Sequence, residues 1–314
     1  MKHIILGAGG AISKVLAKEL SENNEKIKLA ARSIKTIEGI ESVKADLLNF
    51  NEVNEVIEEF STVYLTAGLK YDINSWREQW PKIMRNTLET CSAKNAKLIF
   101  FDNVYSYGRV DGIMTEDTPL NPCSKKGEVR AKLIEYLNSE IKSKNITALI
   151  ARAADFYGPY TEGVSLISIS VIDKLLKGKK PQWFCNAKVK HSFTNTGDCG
   201  KALYLLSKSE SNFNQTWHMP TASPAKTGEE LIQIIARKLN AKADYTVLKK
   251  WMFKLTGTFN TLLKELHEMM YQYEYDYIFD SSKFEKKFNF TPTPYEIGLE
   301  ESIKSMKRTQ GKEK

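Results

Sequence analysis

The sequence predicts an α/β fold with a doubly wound parallel sheet, and three observations predict it. Ile4, Ile5 and Leu6 form a short buried-strand run that ends in Gly7-Ala8-Gly9-Gly10, after which Ala11, Ile12, Val15, Leu16 and Leu20 recur at helical spacing. The same alternation of short apolar runs and longer amphipathic runs continues to about residue 152, which requires parallel strands with helices on both faces. Of the 314 residues, 42% are hydrophobic and 27% charged, enough to bury a sizeable core without disulfide staples.

In chain order, strands are expected at 4–6, 27–31, 43–45, 62–66, 97–101 and 147–152. Helices are expected at 11–20, 53–60, 76–92 and 127–143, with right-handed crossovers. Beyond about residue 160 the rhythm is less regular, with a helix at 164–176, a lysine-rich turn at 177–180 and strand-like pieces near Phe184 and Phe193. Helical patterns return at 198–207, 228–239, 251–270 and 297–306, and residues 307–314 read as a solvated tail.

The glycine turn carries the strongest local chemistry. Gly7 permits the tight turn, Gly10 lets the backbone approach a pyrophosphate, and the small Ser13 permits close packing, with the phosphate at the positive end of the following helix. A dinucleotide site is therefore expected. The second strand ends in Ala30-Ala31-Arg32-Ser33 with no carboxylate to bind a ribose 2′-hydroxyl. Arg32 offers a planar fork to a 2′-phosphate and Ser33 adds a hydroxyl, so NADP is favoured over NAD. Two readings stand for Asp46: an acceptor for the adenine amino group, or a cap for the helix that follows.

These residues, with Ala45-Asp46-Leu47, Tyr64-Leu65-Thr66-Ala67-Gly68 and Val104-Tyr105-Ser106-Tyr107-Gly108, resemble the extended short-chain dehydrogenase/reductase superfamily. Arg152-Ala153-Ala154-Asp155-Phe156-Tyr157-Gly158-Pro159, the stretch from Phe193 to Ala202 and Phe290-Thr291-Pro292-Thr293-Pro294 resemble later segments of its NAD(P)-dependent epimerase/dehydratases. The resemblance implies a Rossmann cofactor domain at 1–160, with a return segment at about 190–210. It also implies a smaller C-terminal α/β substrate domain at 161–314, with the substrate between the two. Cofactor contacts are expected from Gly7, Gly10, Ala11, Ile12, Arg32, Ser33, Asp46, Leu47, Thr66, Ala67, Gly68 and Lys132.

The sequence departs from the family where the chemistry is. Relatives carry Tyr-x-x-x-Lys on the helix after the fifth strand, whereas here Glu128 stands at the tyrosine position and Lys132 at the lysine. Asn103 replaces the usual serine or threonine, and an amide still donates a hydrogen bond. Tyr105 is the candidate replacement acid, because a strand period of two would send it to the same side as Asn103. Catalytic roles are thus expected for Asn103, Tyr105 and Lys132. The other Tyr-x-x-x-Lys, Tyr204 to Lys208, lies far downstream and reads as chance.

Two function classes follow: an NAD(P)-dependent oxidoreductase or epimerase-like enzyme acting on a carbonyl or carbinol carbon, or a catalytically silent NADP(H)-binding sensor. A nucleic-acid partner ranks lowest, since no groove-reading or stacking motif accompanies the lysines. The net charge of +8 is C-terminal in origin: residues 1–160 hold 22 basic against 21 acidic groups, and 161–314 hold 24 against 17. That excess suits an anionic small-molecule substrate or serves solubility. No metal site is expected from four scattered histidines and four scattered cysteines, and a reducing cytosol is the expected compartment. No membrane span is expected, and the assembly is expected to be a monomer or homodimer. The aromatic stretch from Met269 to Phe279 reads as packing, with a substrate pocket or a partner surface as the alternative.

Overall fold

The computed structural model describes residues 2–33, 39–256 and 261–312. It divides into two compact units. The first comprises Met1–Ser106, Lys125–Arg152 and Cys199–Trp217, and the second Tyr107–Ser124, Ala153–Asp198 and His218–Lys314.

The first unit is built on a seven-stranded sheet. Its strands are β1 (Lys2–Leu6), β2 (Lys26–Ala31), β3 (Glu41–Lys44), β4 (Thr62–Leu65), β5 (Lys97–Asn103), β6 (Ala148–Ala153) and β7 (Thr216–His218). Their spatial order is β7-β6-β5-β4-β1-β2-β3. β1 pairs in parallel with both β2 and β4, and β4 in parallel with β5. The order reverses beside β1, and such a reversal leaves a crevice at the carboxyl ends of the strands. Ile4, Ile5 and Leu6 are fully buried, as are Val63, Tyr64, Leu65, Leu98, Ile99 and Phe100. A strand covered on both faces has no solvent side, which is why these runs are continuously apolar rather than alternating.

Helices α1 (Ala11–Glu22), α2 (Phe50–Val56), α3 (Ile73–Ala93) and α4 (Lys125–Lys142) provide the crossovers. α2 begins at the cap residue Asn49, whose side chain accepts from the Asn51 backbone N–H. The capping alternative for Asp46 is thereby corrected: its Oδ1 accepts from Leu48 N–H in the loop before the helix. β7 was not expected, because three residues are too short a run to show a period.

The second unit is a set of short strand pairs and helices around Trp183, Phe193, Leu231, Ile232, Ile235, Tyr295 and Leu299. Helix Gly228–Lys238 is fixed by a capping box, with Thr227 and Glu230 each accepting from the other's backbone N–H. The single helix expected at 251–270 is instead Lys250–Thr256 and Thr261–His267, the intervening 257–260 lying outside the described residues. The expected tail is corrected as well. Helix Tyr295–Lys312 runs through most of it, its inner face held by Leu299, Ile303 and Met306, and only Glu313 and Lys314 fall outside the described residues. The aromatic stretch packs: Met269, Met270, Tyr271, Tyr273, Tyr277 and Phe279 are buried and Tyr275 is exposed.

Candidate active site

The turn after β1 has the form a phosphate cradle requires. Gly7 has φ +84° and a Cβ there would lie 2.3 Å from the Ala67 Cα, so both backbone angle and space exclude any other residue. Gly10 precedes α1 with open space before it, and α1 starts without a side-chain cap. Its first N–H groups and the positive end of its dipole are therefore available to an anion. Ser13 does more than allow packing: its hydroxyl accepts from Gly9 N–H and donates to the Gly10 carbonyl, which fixes the loop. Close helix packing falls instead to Gly200, where a Cβ would stand 2.8 Å from the Val15 carbonyl oxygen.

A cleft of about 300 Å³ opens on this turn. Of the expected cofactor residues, Gly7, Gly10, Arg32, Ser33, Asp46, Leu47, Ala67 and Gly68 line it. Arg32 and Ser33 are exposed at its edge, and Arg32 forms no ion pair among the described residues. Ala11 and Ile12 are not part of the lining, Ile12 being buried in the core. Thr66 is not either, since its backbone N–H and its hydroxyl both donate to the Leu6 carbonyl. The cradle, the uncapped helix end and the exposed guanidinium together fit a dinucleotide.

Leu69, which also lines the cleft, leads into Tyr71 and Trp76, and a row of aromatic rings continues from there. Tyr71 meets Trp76 edge-on at 6.0 Å, and Trp76 stacks on Tyr105 at 6.3 Å. Asn103 and Tyr105 are both partly exposed, but not because of strand periodicity. β5 ends at Asn103 and Tyr105 lies in a single 3-10 turn, Val104–Tyr107. The two are tied by Tyr105 N–H donating to Asn103 Oδ1 at 3.0 Å. That bond turns the Asn103 amide so that its Nδ2 hydrogens, which have no partner among the described residues, remain as the donor.

On α4 the expected Lys132 and two other basic residues face different ways. Lys132 is exposed and, with Glu128, lines a groove beside Arg77, Arg85 and Tyr136. The buried basic residues are Lys126 and Arg130, four apart and therefore on one face. Lys132 lies two residues beyond Arg130, about 200° further round the helix. The Lys126 ammonium stands 4.6 Å over the Tyr71 ring and is fully buried. Arg130 donates to Asp102 Oδ1 at 2.7 Å and lies over the rings of Trp80 and Phe100. Arg152 holds the other oxygen of Asp102 at 2.9 Å. The missed residues had a local signal: 126 and 130 fall in phase with the apolar positions 129, 133, 134 and 137.

The downstream Tyr204 and Lys208 stand elsewhere, Lys208 being paired with Glu25 at the start of β2, the end of the sheet away from the glycine turn. Among the described residues no cluster could hold a metal ion, and no helix is long and apolar enough to cross a membrane.

No curated protein sequence matches the chain. Among solved structures it is similar to the UDP-glucuronic acid 4-epimerase of Bacillus cereus in complex with NAD, at 17% identity and TM-score 0.79, covering 98% of this chain and 99% of that one. It is similar to dTDP-glucose 4,6-dehydratase of Streptomyces venezuelae at 15% identity and TM-score 0.80, covering 99% and 98%. The UDP-glucose 4-epimerase of Thermotoga maritima matches at 17% identity and TM-score 0.79, covering 99% and 100%. Likenesses at this identity establish the doubly wound fold. Residues 3–217, more than half of the sequence, match the model of the NAD dependent epimerase/dehydratase family, and the chain belongs to that family.

Proposed function

We propose that the chain is an NADP(H)-preferring oxidoreductase or epimerase that moves a hydride to or from a carbonyl or carbinol carbon of a nucleotide-sugar substrate. The observation that carries the cofactor preference is Arg32, exposed at the rim of the glycine-turn cleft where a carboxylate would select NAD. The substrate class is supported by the structural likenesses, among them a 4-epimerase in complex with UDP-glucose, and it is anionic, in keeping with the C-terminal excess of positive charge.

The nicotinamide, when bound, supplies the hydride chemistry. The chain's residues bind and orient. The Gly7–Gly10 turn and the α1 N-terminus take the pyrophosphate, and Arg32 with Ser33 takes the 2′-phosphate. Asn103 Nδ2 donates to the reacting oxygen and polarises it. Tyr105 gives up or takes the phenolic proton, and the buried Lys126, in place of Lys132, supplies the positive charge next to the aromatic row.

The test is NADPH oxidation at 340 nm across aldehydes, ketones, keto-sugars and nucleotide sugars. Turnover with one of them, lowered at least tenfold in Tyr105→Phe with NADPH affinity unchanged, is the expected result. A flat response across the whole panel in the wild type supports the silent sensor instead, and unchanged turnover in Tyr105→Phe removes Tyr105 from the mechanism.

A further inference from the structure

The five tryptophans of the chain divide sharply: Trp76, Trp80, Trp183 and Trp217 are at most 6% exposed, whereas Trp251 is 63% exposed. An indole left in water forgoes the largest apolar burial a side chain can contribute. Trp251 lies in the second unit on the short helix Lys250–Thr256, which packs against the helix Thr261–His267, where Leu262 is 52% exposed. The inner side of this helix pair is anchored. Phe253 is buried with Cys185, Met270 and Tyr273, Leu263 and Leu266 pack on the same cluster, and Phe184 meets Phe253 edge-on at 5.0 Å. With those side chains turned inward, Trp251 and Leu262 are left on the outside.

The same stretch is a focus of positive charge. From residue 245 to residue 264 the sequence holds four lysines, Lys249, Lys250, Lys254 and Lys264, and no aspartate or glutamate. Those four are more than half of the excess of seven positive charges in residues 161–314. Lys250 is paired with Glu274 at 2.7 Å. Lys249, Lys254 and Lys264 are exposed and form no ion pair among the described residues. Lys254 follows Trp251 by three residues, so the ammonium and the indole share one side of the helix.

The combination narrows the occupant. A second copy of this chain, joined through the same patch, would bring the lysines face to face. A small anion would satisfy the lysines and leave Trp251 and Leu262 in water. A protein partner must supply a pocket shaped for the indole. A bilayer of acidic phospholipid takes both features without one: the indole settles at the headgroup boundary, the leucine in the acyl chains and the ammoniums among the phosphates. Helices of seven residues are far short of the roughly 20 needed to cross, so the pair would lie on the surface.

We propose that the helices Lys250–Thr256 and Thr261–His267 dock the protein on an anionic lipid surface, with Trp251 and Leu262 inserted and Lys249, Lys254 and Lys264 on the headgroup phosphates. The inference goes beyond the redox reading and does not rest on it, since none of these residues has a part in the cofactor cleft or the chemistry.

The experiment is co-sedimentation of the full chain with vesicles of phosphatidylcholine and with vesicles of an equal mixture of phosphatidylcholine and phosphatidylglycerol, at low salt, alongside titration with soluble polyglutamate. Wild type is expected to bind the mixed vesicles at least tenfold tighter than the neutral ones. Because the other four indoles are buried, a blue shift of tryptophan emission on the mixed vesicles reports Trp251. Trp251→Ala, and separately the double variant Lys254→Glu with Lys264→Glu, should each lose at least tenfold in vesicle affinity. Thermal melts show that each variant is folded, and the two test the patch independently of one another. Wild type that binds neither vesicle, or both equally, overturns the proposal. Binding that survives in both folded variants overturns the assignment to this helix pair, and binding of polyglutamate without binding of vesicles replaces the lipid with an acidic protein surface.

Discussion

Two carboxylates, Asp102 buried in the first unit and Asp155 half-buried in the second, differ in how their oxygens are satisfied. Asp102 is 0% exposed and both its oxygens are taken, by Arg130 and by Arg152, so it joins β5 to α4 and β6 and has nothing left to offer a ligand. Asp155, in the second unit, has both its hydrogen bonds on one oxygen, Oδ2, which meets His191 Nε2 at 3.1 Å and the Tyr273 hydroxyl, and about a fifth of its side chain is exposed. A fully satisfied, sealed charge is architecture, whereas a half-satisfied one still meets water. The comparison can be broken or sharpened by substitution, and the expected effects fall in a definite order.

The largest concerns Asp102. Asp102→Ala leaves two buried guanidiniums facing each other without their carboxylate, and loss of one partner in such a network costs about 3–5 kcal/mol. Urea unfolding should show it as a lower midpoint, whereas a loss under about 1 kcal/mol would mean that the network is no staple. Asp155→Asn should cost less, on the order of 2 kcal/mol at neutral pH, because part of the side chain already meets water. Its pH dependence has a fixed sign. A carboxyl depressed in the folded state stabilises above its unfolded pKa, about 3.9, and that contribution is lost as pH falls through the folded value. Wild type and Asp155→Asn should therefore differ in Tm at pH 7 and converge in strong acid; a gap that stays constant with pH contradicts the depressed carboxyl.

The next effect separates the two faces of α4. Lys126→Met should weaken NADPH binding about tenfold, about 1.4 kcal/mol, while Lys132→Ala should change it less than twofold. The reverse order, measured by fluorescence titration, would restore Lys132. The smallest effect belongs to Arg32, an exposed residue whose contact is screened. Arg32→Ala should weaken NADPH several-fold more than NADH at low ionic strength, and equal losses would remove it as the selectivity residue.

What the sequence showed and hid follows from range. The parallel sheet and its glycine turn were legible because each strand and helix carries its own period, and Gly7 has a local backbone reason to be glycine. The buried face of α4 is legible in principle from helical phase. The family spacing points to Lys132, whereas helical phase puts Lys126 and Arg130 among the apolar positions, a signal that is easy to miss because buried lysines are rare. Tyr105 came out on the accessible side for a reason the strand period does not contain, an amide–backbone bond from Asn103. The Asp155 cluster was not legible at all: its members lie 36 and 118 residues from Asp155, and nothing around His191 marks it.

The central claim is that the turn after β1 holds a nicotinamide dinucleotide, and the direct measurement is NADPH titration of wild type beside Gly10→Asp. Gly10 has φ −75° and ψ 173°, with nothing within 4 Å of a Cβ, so aspartate fits and can even cap α1, yet it puts a carboxylate where the pyrophosphate would sit. Saturable binding by wild type, with loss of at least a hundredfold in affinity and no loss of Tm in Gly10→Asp, is the predicted result. Absent binding in wild type, or equal binding in the two proteins, would contradict it.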